Sequence, residues 1–334
     1  MTDRRRPMPG EPDLPDPASD LGLVGQRTIV SEGVDARFTL APGDRALVAA
    51  GETVVAGAPI AERLRDPTLE ETAVEPATGP HPGVRGPHGE LLFEWRGRWR
   101  VATGELTEPI ESPVAGIIRE VRPGSAITVR TGGRAIRGIV ALGGPTRGRL
   151  QVAAGHDGEL RTGGLDVGFA GTILVVGSRI DAETLTRARA MGVRGVIVSG
   201  LASKERRDFL ASEARQRAAL HRLPPFAVLV LDGALRRPLA SPVQQILDAL
   251  VGREVAIVTD PPMLVFDVPE IPTPTPAPDL VRVRAGEHAG REGTWAGSLG
   301  PRRFPGGVHL EAGAVRLADG AVIAVALGDL ERFA

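Results

Sequence analysis

Between Gly171 and Thr259 four uninterrupted apolar runs alternate with stretches of helical character, and this pattern constrains the fold more than any other feature of the chain. Gly171-Thr-Ile-Leu-Val-Val-Gly177 reads as a buried strand. Asp181 suits the cap of a helix running from Ala182 to Met191, with Gly192 just past its end. Val196 to Val198 reads as a second strand, Ser203 to about Leu220 as a helix, and Phe226 to Leu231 as a third strand. Ser241-Pro242 then opens a helix that closes at Gly252, before a fourth strand from Val255 to Val258. Strands that are apolar at every position imply cover on both faces, so the expectation is a parallel sheet with crossover helices on each side.

The remainder of the 334 residues is turn-rich, with 43 glycines and 29 prolines, and only 3% of the chain is aromatic. With 42% hydrophobic residues it still fills cores from Val, Ala, Leu and Ile, and its length suggests two or three domains. Residues 1–20 carry Arg4, Arg5 and Arg6 and then alternate proline with acids, which reads as a disordered tail and not a signal peptide. Residues 21–150 read as a module of short strands, interrupted by a Pro/Gly-rich insertion over 66–90. The parallel α/β region over 165–260 is expected to be a small doubly wound, Rossmann-like domain. Residues 261–280 carry Pro261, Pro262, Pro269, Pro272, Pro274, Pro276 and Pro278 and read as a semi-rigid linker. Beyond it, 281–334 alternates like a small barrel, with Asp319-Gly320 as a hairpin turn.

Several chemistries are excluded by what is missing. With no cysteine there are no disulfides, thiolate metal sites, iron–sulfur clusters or Cys nucleophile. Lys204 is the single lysine among 40 basic residues, so there is no Walker A loop. Gly177 is followed by Ser-Arg-Ile-Asp, not by the glycines of a dinucleotide-binding turn. The six histidines, at 81, 88, 156, 221, 288 and 309, show no metal-ligand spacing, and there is no G-x-S-x-G elbow. No cofactor and no metal is expected. No apolar run reaches the roughly 20 residues a bilayer span requires, so a soluble, cytoplasmic protein is expected.

Val48-Ala-Ala-Gly51-Glu-Thr-Val54-Val-Ala-Gly57-Ala-Pro-Ile60 and Ser112-Pro-Val-Ala-Gly116-Ile-Ile-Arg-Glu-Val121 resemble the two signature segments of the barrel-sandwich hybrid, the biotinyl/lipoyl-like fold, in the order found in RnfC-type subunits. The resemblance implies that fold alone. A carrier needs a lysine at the hairpin tip, and Lys204 lies in another module. In the last module Val281 and Val283 precede Gly286, Gly290 and Gly293, a spacing that resembles the KOW motif of NusG-type factors and ribosomal proteins, with Trp295 where an aliphatic residue is usual. That resemblance implies an SH3-like barrel contacting RNA or a component of the ribosome or RNA polymerase.

Within the KOW-like module Arg282, Arg284, Arg291, Arg302 and Arg303 accompany Trp295, Phe304 and His288, a mix suited to phosphate contact with base stacking. Seven arginines against six acids keep the module nearly neutral, so at most one basic face is expected. From Pro113 to Leu150 there are Arg119, Arg122, Arg130, Arg134, Arg137, Arg147 and Arg149 against Glu120 alone, which is either a phosphate-facing patch or a solvated strand face. Leu91 to Val101 reads as a hairpin turning at Arg96-Gly97, with Trp95 and Trp99 either anchoring a partner or covering the sheet. Ser178, Ser203, Lys204 and Arg206 form a candidate anion site, with Asp232 and Asp260 at neighbouring strand ends. The leading expectation is a non-enzymatic, modular binding or scaffold protein contacting RNA or a transcription or translation component through its Arg-rich β modules. The alternatives are an enzyme or ligand sensor using the strand ends of the α/β domain, and a structural subunit of a homo-oligomer.

Overall fold

The computed structural model of the chain describes residues 20–41, 44–71, 84–85, 91–95, 98–219, 223 and 225–334, with the backbone path alone for 64–71, 84–85, 91–95, 98–107 and 217–219. Residues 1–19, most of the expected tail, lie outside the described residues, as does much of the insertion expected over 66–90. The protein is mixed α/β, mostly strands, with three α-helices among the described residues. It divides into two compact units, one holding Val30–Arg237 and Ile246–Pro272, the other holding the chain up to Ile29, Pro238–Gln245 and Thr273–Ala334.

The larger unit begins with β1 (Asp35–Thr39), β2 (Pro59–Glu71), β3 (Leu91–Trp95), β4 (Arg98–Glu111), β5 (Gly116–Arg122) and β6 (Ala126–Arg130). β1, β6 and β5 are antiparallel neighbours, as are β2, β4 and β3. β2 continues to Glu71, so the loop expected from Asp66 onward starts with strand. Pro67 is accommodated in the register shift between Arg65 and Thr68, where no ladder hydrogen bond is asked of it.

Next come β7 (Arg134–Arg137), β8 (Val140–Gly143), β9 (Thr146–Val152), β10 (Thr172–Val176), β11 (Gly195–Gly200), β12 (Ala227–Gly233), β13 (Glu254–Thr259) and β14 (Pro262–Phe266). β9, β10, β11 and β12 lie side by side in parallel, with α1 (Ala182–Ala190) between β10 and β11 and α2 (Ser203–Ala219) between β11 and β12. β13 runs antiparallel to β9, which corrects the reading of the fourth apolar run as a parallel strand, and β14 runs antiparallel to β13. The prolines from Pro261 therefore do not end the sheet at once. Pro262 occupies the first position of β14, where its missing N–H costs nothing, and its carbonyl accepts from Gly138 N at 3.0 Å.

The sheet closes on itself through one stretch of chain. β7 pairs with β14, and at Gly138–Ile139 the chain changes partner: Ile139 N donates to the Val230 carbonyl at 2.8 Å and β8 pairs with β12. In a strand successive residues address opposite edges. Bonds from Gly138 and Ile139 to β14 and β12 thus join the two ends of the sheet into a ring. Leu174, Val176, Val196, Val198, Val228 and Val230 form the outer face, packed against Leu185 and Ala188 of α1 and Phe209 of α2. α1 and α2 accordingly share one face, and the two-sided helical cover expected of the apolar runs is replaced, for these helices, by one-sided cover. The opposite face of each strand turns into the ring, and that is why the runs are apolar at every position. On β7, β13 and β14 the outer residues Ala135, Ala256, Val258, Met263 and Val265 join Ala36, Phe38, Ile118, Ile127 and Val129 of the first strands in a single core.

The smaller unit is a six-stranded sheet in which Gly25–Arg27 is followed by β19 (Leu330–Phe333), β15 (Leu280–Val283), β16 (Glu292–Arg303), β17 (His309–Leu317) and β18 (Val322–Ala326). Val281, Val283, Trp295, Val315, Leu317 and Leu330 fill its core. β16 runs on through bulges after Trp295 and Ser298, which absorb breaks in its alternation. Gly286 and Gly290 hold φ at 83° and 89°, the turn geometry that their spacing anticipated. Third α-helix α3 (Ser241–Ala249) begins in this unit, where Ser241 N donates to Glu292 Oε1 at 2.7 Å.

Gly138→Ala places a methyl group 2.6 Å from Leu229 Cδ1 and 2.8 Å from the Val230 carbonyl, at the point where the ring closes. The expected outcome is a loss of about 1–3 kcal/mol in urea-melt stability. A melt unchanged from wild type contradicts this closure.

Candidate nucleic-acid interface

The five arginines expected to form a binding surface on the smaller unit fall into two groups. Arg282 is 0% exposed, donates from Nη1 to Glu331 Oε1 at 3.1 Å and from Nη2 to the Pro238 carbonyl at 2.6 Å. Arg27 Nη1 and Arg284 Nε approach the same Glu331 at 3.7 and 3.9 Å. Arg291 Nη2 donates to Asp319 Oδ2 at 2.6 Å. Trp295, 1% exposed, is part of the core. Arg282 and Trp295 are therefore corrected from binding to structural residues, since neither presents a surface to a partner. His288 is half-buried in the turn that ends at Gly290.

Arg302 and Arg303 form the second group. Both are exposed, and neither has a carboxylate partner among the described residues. They lie where β16 and β17 run beyond their neighbours. β15 pairs with β16 only over Glu292–Thr294, and β18 pairs with β17 only over Ala312–Arg316. The remainder is a two-stranded ribbon, with Pro301 opposite Glu311, Arg302 opposite Leu310 and Arg303 opposite His309. Phe304 N donates to the Val308 carbonyl at 2.8 Å and Gly307 N to the Phe304 carbonyl at 3.0 Å, which closes the tip. Residues directly opposite share a face, and faces alternate along each strand. One face of the ribbon thus carries Arg302, Leu310 and Val308 beside Phe304, and the other carries Arg303, His309 and Glu311. Val308 and Leu310 are 52% and 42% exposed. Their place beside the cations was not singled out from the sequence, although Gly306-Gly307 between two apolar-alternating runs is a hairpin signal.

The second basic stretch is largely neutralised within the fold. Arg119 and Arg130 both reach Asp35, at 2.7 and 3.2 Å, Arg122 reaches Glu120 at 2.7 Å, and Arg147 reaches Glu254 at 3.2 Å. Arg134 donates to the Val268 carbonyl, and its guanidinium carbon lies 5.1 Å from the Phe266 ring centre. Arg137 and Arg149 are exposed without an ion pair among the described residues. β3 and β4 pair Trp95 with Arg98 and Glu94 with Trp99, so the two tryptophans are not directly opposite each other. Their side chains and the turn at Arg96-Gly97 lie outside the described residues.

At the carboxyl ends of the parallel strands the chain folds back over itself. Ser178 is fully buried, its N donating to the Gly158 carbonyl at 2.8 Å and its Oγ to the Asp157 carbonyl at 2.9 Å, while Arg236 Nε donates to that Oγ at 3.1 Å. Ser199 Oγ donates to Asp232 Oδ2 at 2.9 Å. Ser178 thus staples a loop and is not open to an anion, which corrects its place in that site. Ser203, Lys204 and Arg206 are exposed on the first turn of α2, and the Arg206 N bond to the Ala202 carbonyl makes Ala202 the capping position. Asp260 meets Arg37 Nε at 3.8 Å. No three His, Asp or Glu side chains converge on a metal-sized site among the described residues. None of their helices is long and apolar enough to cross a membrane.

No protein-family model matches the chain, and no curated protein matches it.

The Asp319 carboxyl is held below its usual value of 3.8, first by the Ala321 backbone N–H and then by the Arg291 guanidinium. Its ionisation favours the folded state above the ordinary carboxylate range, and that contribution is lost as pH falls through the lowered value. An NMR titration of Asp319 is expected to give a midpoint below 3.8. Arg291→Ala should raise the midpoint only in part, because the Ala321 N–H remains.

Proposed function

We propose that this chain is a non-catalytic binding protein that contacts RNA through the β16–β17 ribbon, with the larger unit as its scaffold. The observation that carries the reading is the contrast among the arginines. Arg282, Arg284 and Arg291 have internal carboxylates, whereas Arg302 and Arg303 project on a ribbon without one among the described residues. Arg302 stands unpaired on the face that carries half-buried Phe304 and exposed Val308 and Leu310, and Arg303 on the opposite face, so the ribbon offers phosphate contacts on both faces and an aromatic ring on one. The glycine spacing from Gly286 to Gly293 supports reading the smaller unit as a KOW-type, SH3-like barrel. The segments at Val48–Ile60 and Ser112–Val121 support a barrel-sandwich hybrid in the larger unit, joined to the strand–helix alternation of the mixed sheet. The near balance of charge in the smaller unit favours a local footprint over a broadly basic surface.

The test is fluorescence anisotropy with a labelled single-stranded RNA of mixed sequence, titrated at several salt concentrations. Wild type is expected to bind at low salt and to weaken steeply as salt rises. Arg302→Ala with Arg303→Ala should reduce the slope of log affinity against log salt by about 2, or about 1 per arginine. Absence of salt-dependent binding, or an unaltered slope in the double variant, overturns the reading.

A further inference from the structure

A cavity of about 460 Å³ in the larger unit lies at the amino ends of the parallel strands, the opposite end from the closed-over carboxyl ends. Arg194 is the residue immediately before β11, and Thr146 is the first residue of β9; both line the cavity, with Glu111, Pro113, Arg147 and Glu254. The volume suits a small molecule. Pro113, Arg147 and Glu254 also line a second cavity of about 410 Å³.

The charges around the cavity are not equivalent. Arg147 and Glu254 pair with each other, Nε to Oε2 at 3.2 Å, and so neutralise each other across the rim. Glu111 and Arg194 have no ion-pair or hydrogen-bond partner for their side chains among the described residues, and they do not pair with each other. The Arg194 backbone is fixed: its N donates to the Thr172 carbonyl at 2.8 Å, and its carbonyl accepts from Ala227 N at 3.1 Å. Glu111 is the last residue of β4, opposite Pro59 in the ladder. Thr146, 4% exposed, adds a hydroxyl without a hydrogen-bond partner.

One unpaired cation, one unpaired carboxylate and a neutralised pair around a single cavity complement a ligand of zero net charge that carries both signs. We propose that this cavity binds a small zwitterion, a free α-amino acid or a dipeptide, with its carboxylate on Arg194 and its ammonium on Glu111. A bidentate guanidinium–carboxylate contact supplies the directional half of recognition, and the ammonium on Glu111 supplies the half that a simple anion lacks. The site is independent of the RNA-binding ribbon.

The experiment is a thermal-shift screen of the full-length protein against each standard amino acid and glycylglycine, followed by calorimetric titration of whichever stabilises it. Sodium acetate and methylammonium chloride at matched ionic strength are the single-charge controls. Saturable stabilisation by at least one zwitterion is expected, with neither control reproducing it. Arg194→Gln and Glu111→Gln should each weaken binding about tenfold or more. Both side chains lack internal partners, so neither change is expected to lower the ligand-free melting temperature. Should either variant fail to fold, the Arg194 Nε–H resonance of wild type gives the second readout and is expected to shift on titration. The proposal is overturned if no zwitterion stabilises the protein, if binding survives in both variants, or if the Arg194 resonance stays in place. Acetate binding equally to wild type and Glu111→Gln also overturns it, by making the cavity a plain anion site.

Discussion

The closure of the mixed sheet through residues 134–143 is the constraint on which the larger unit depends. Two adjacent backbone bonds, from Gly138 to Pro262 and from Ile139 to Val230, tie the β13–β14 hairpin to the far edge of the parallel strands. A closed sheet has no free edge at the seam, so each strand is stabilised by neighbours on both sides. The inner faces lose contact with water together. The hairpin's outer face then serves a second purpose, as the floor on which β1, β5 and β6 pack. What reads along the chain as separate modules is thus bound by one shared core.

Closure goes with a difference between the two ends of the parallel strands. An open parallel sheet offers a crevice at the carboxyl ends of its strands. Here those ends are stitched by Ser178 with Asp157 and Gly158, and by Ser199 with Asp232, so Ser178 and Asp232 are engaged within the fold, while Ser203, Lys204 and Arg206 stay exposed. A cavity of about 460 Å³ lies at the amino ends, where Arg194 stands without an internal partner among the described residues.

The smaller unit shows the same division between charges that are consumed and charges that are free. Glu331 gathers Arg27, Arg282 and Arg284, and a wholly buried guanidinium without that carboxylate would carry a desolvation cost of several kcal/mol. Arg302 and Arg303, two residue types identical to those, sit past the last neighbouring strand and meet no such partner among the described residues. Position in the sheet, not residue identity, separates the arginines with carboxylate partners from those without one among the described residues.

The sequence by itself determined the strand–helix alternation, the caps at Asp181 and Gly192, the turn glycines at 286 and 290 and the absence of cysteine chemistry, because each is set by local backbone geometry or by composition. Only the tertiary structure decided that β13 is antiparallel, that the sheet closes, that Pro262 opens a strand, and that α1 and α2 share a face. An apolar run has the same pattern whether its second face meets a helix or the inside of a ring. Of the expected surface residues, Arg282, Trp295 and Ser178 proved buried, and Arg302 and Arg303 exposed. Burial and charge pairing depend on contacts between residues far apart in the chain, Arg282 with Glu331 and Ser178 with Arg236, and those distances are fixed only when the chain is folded.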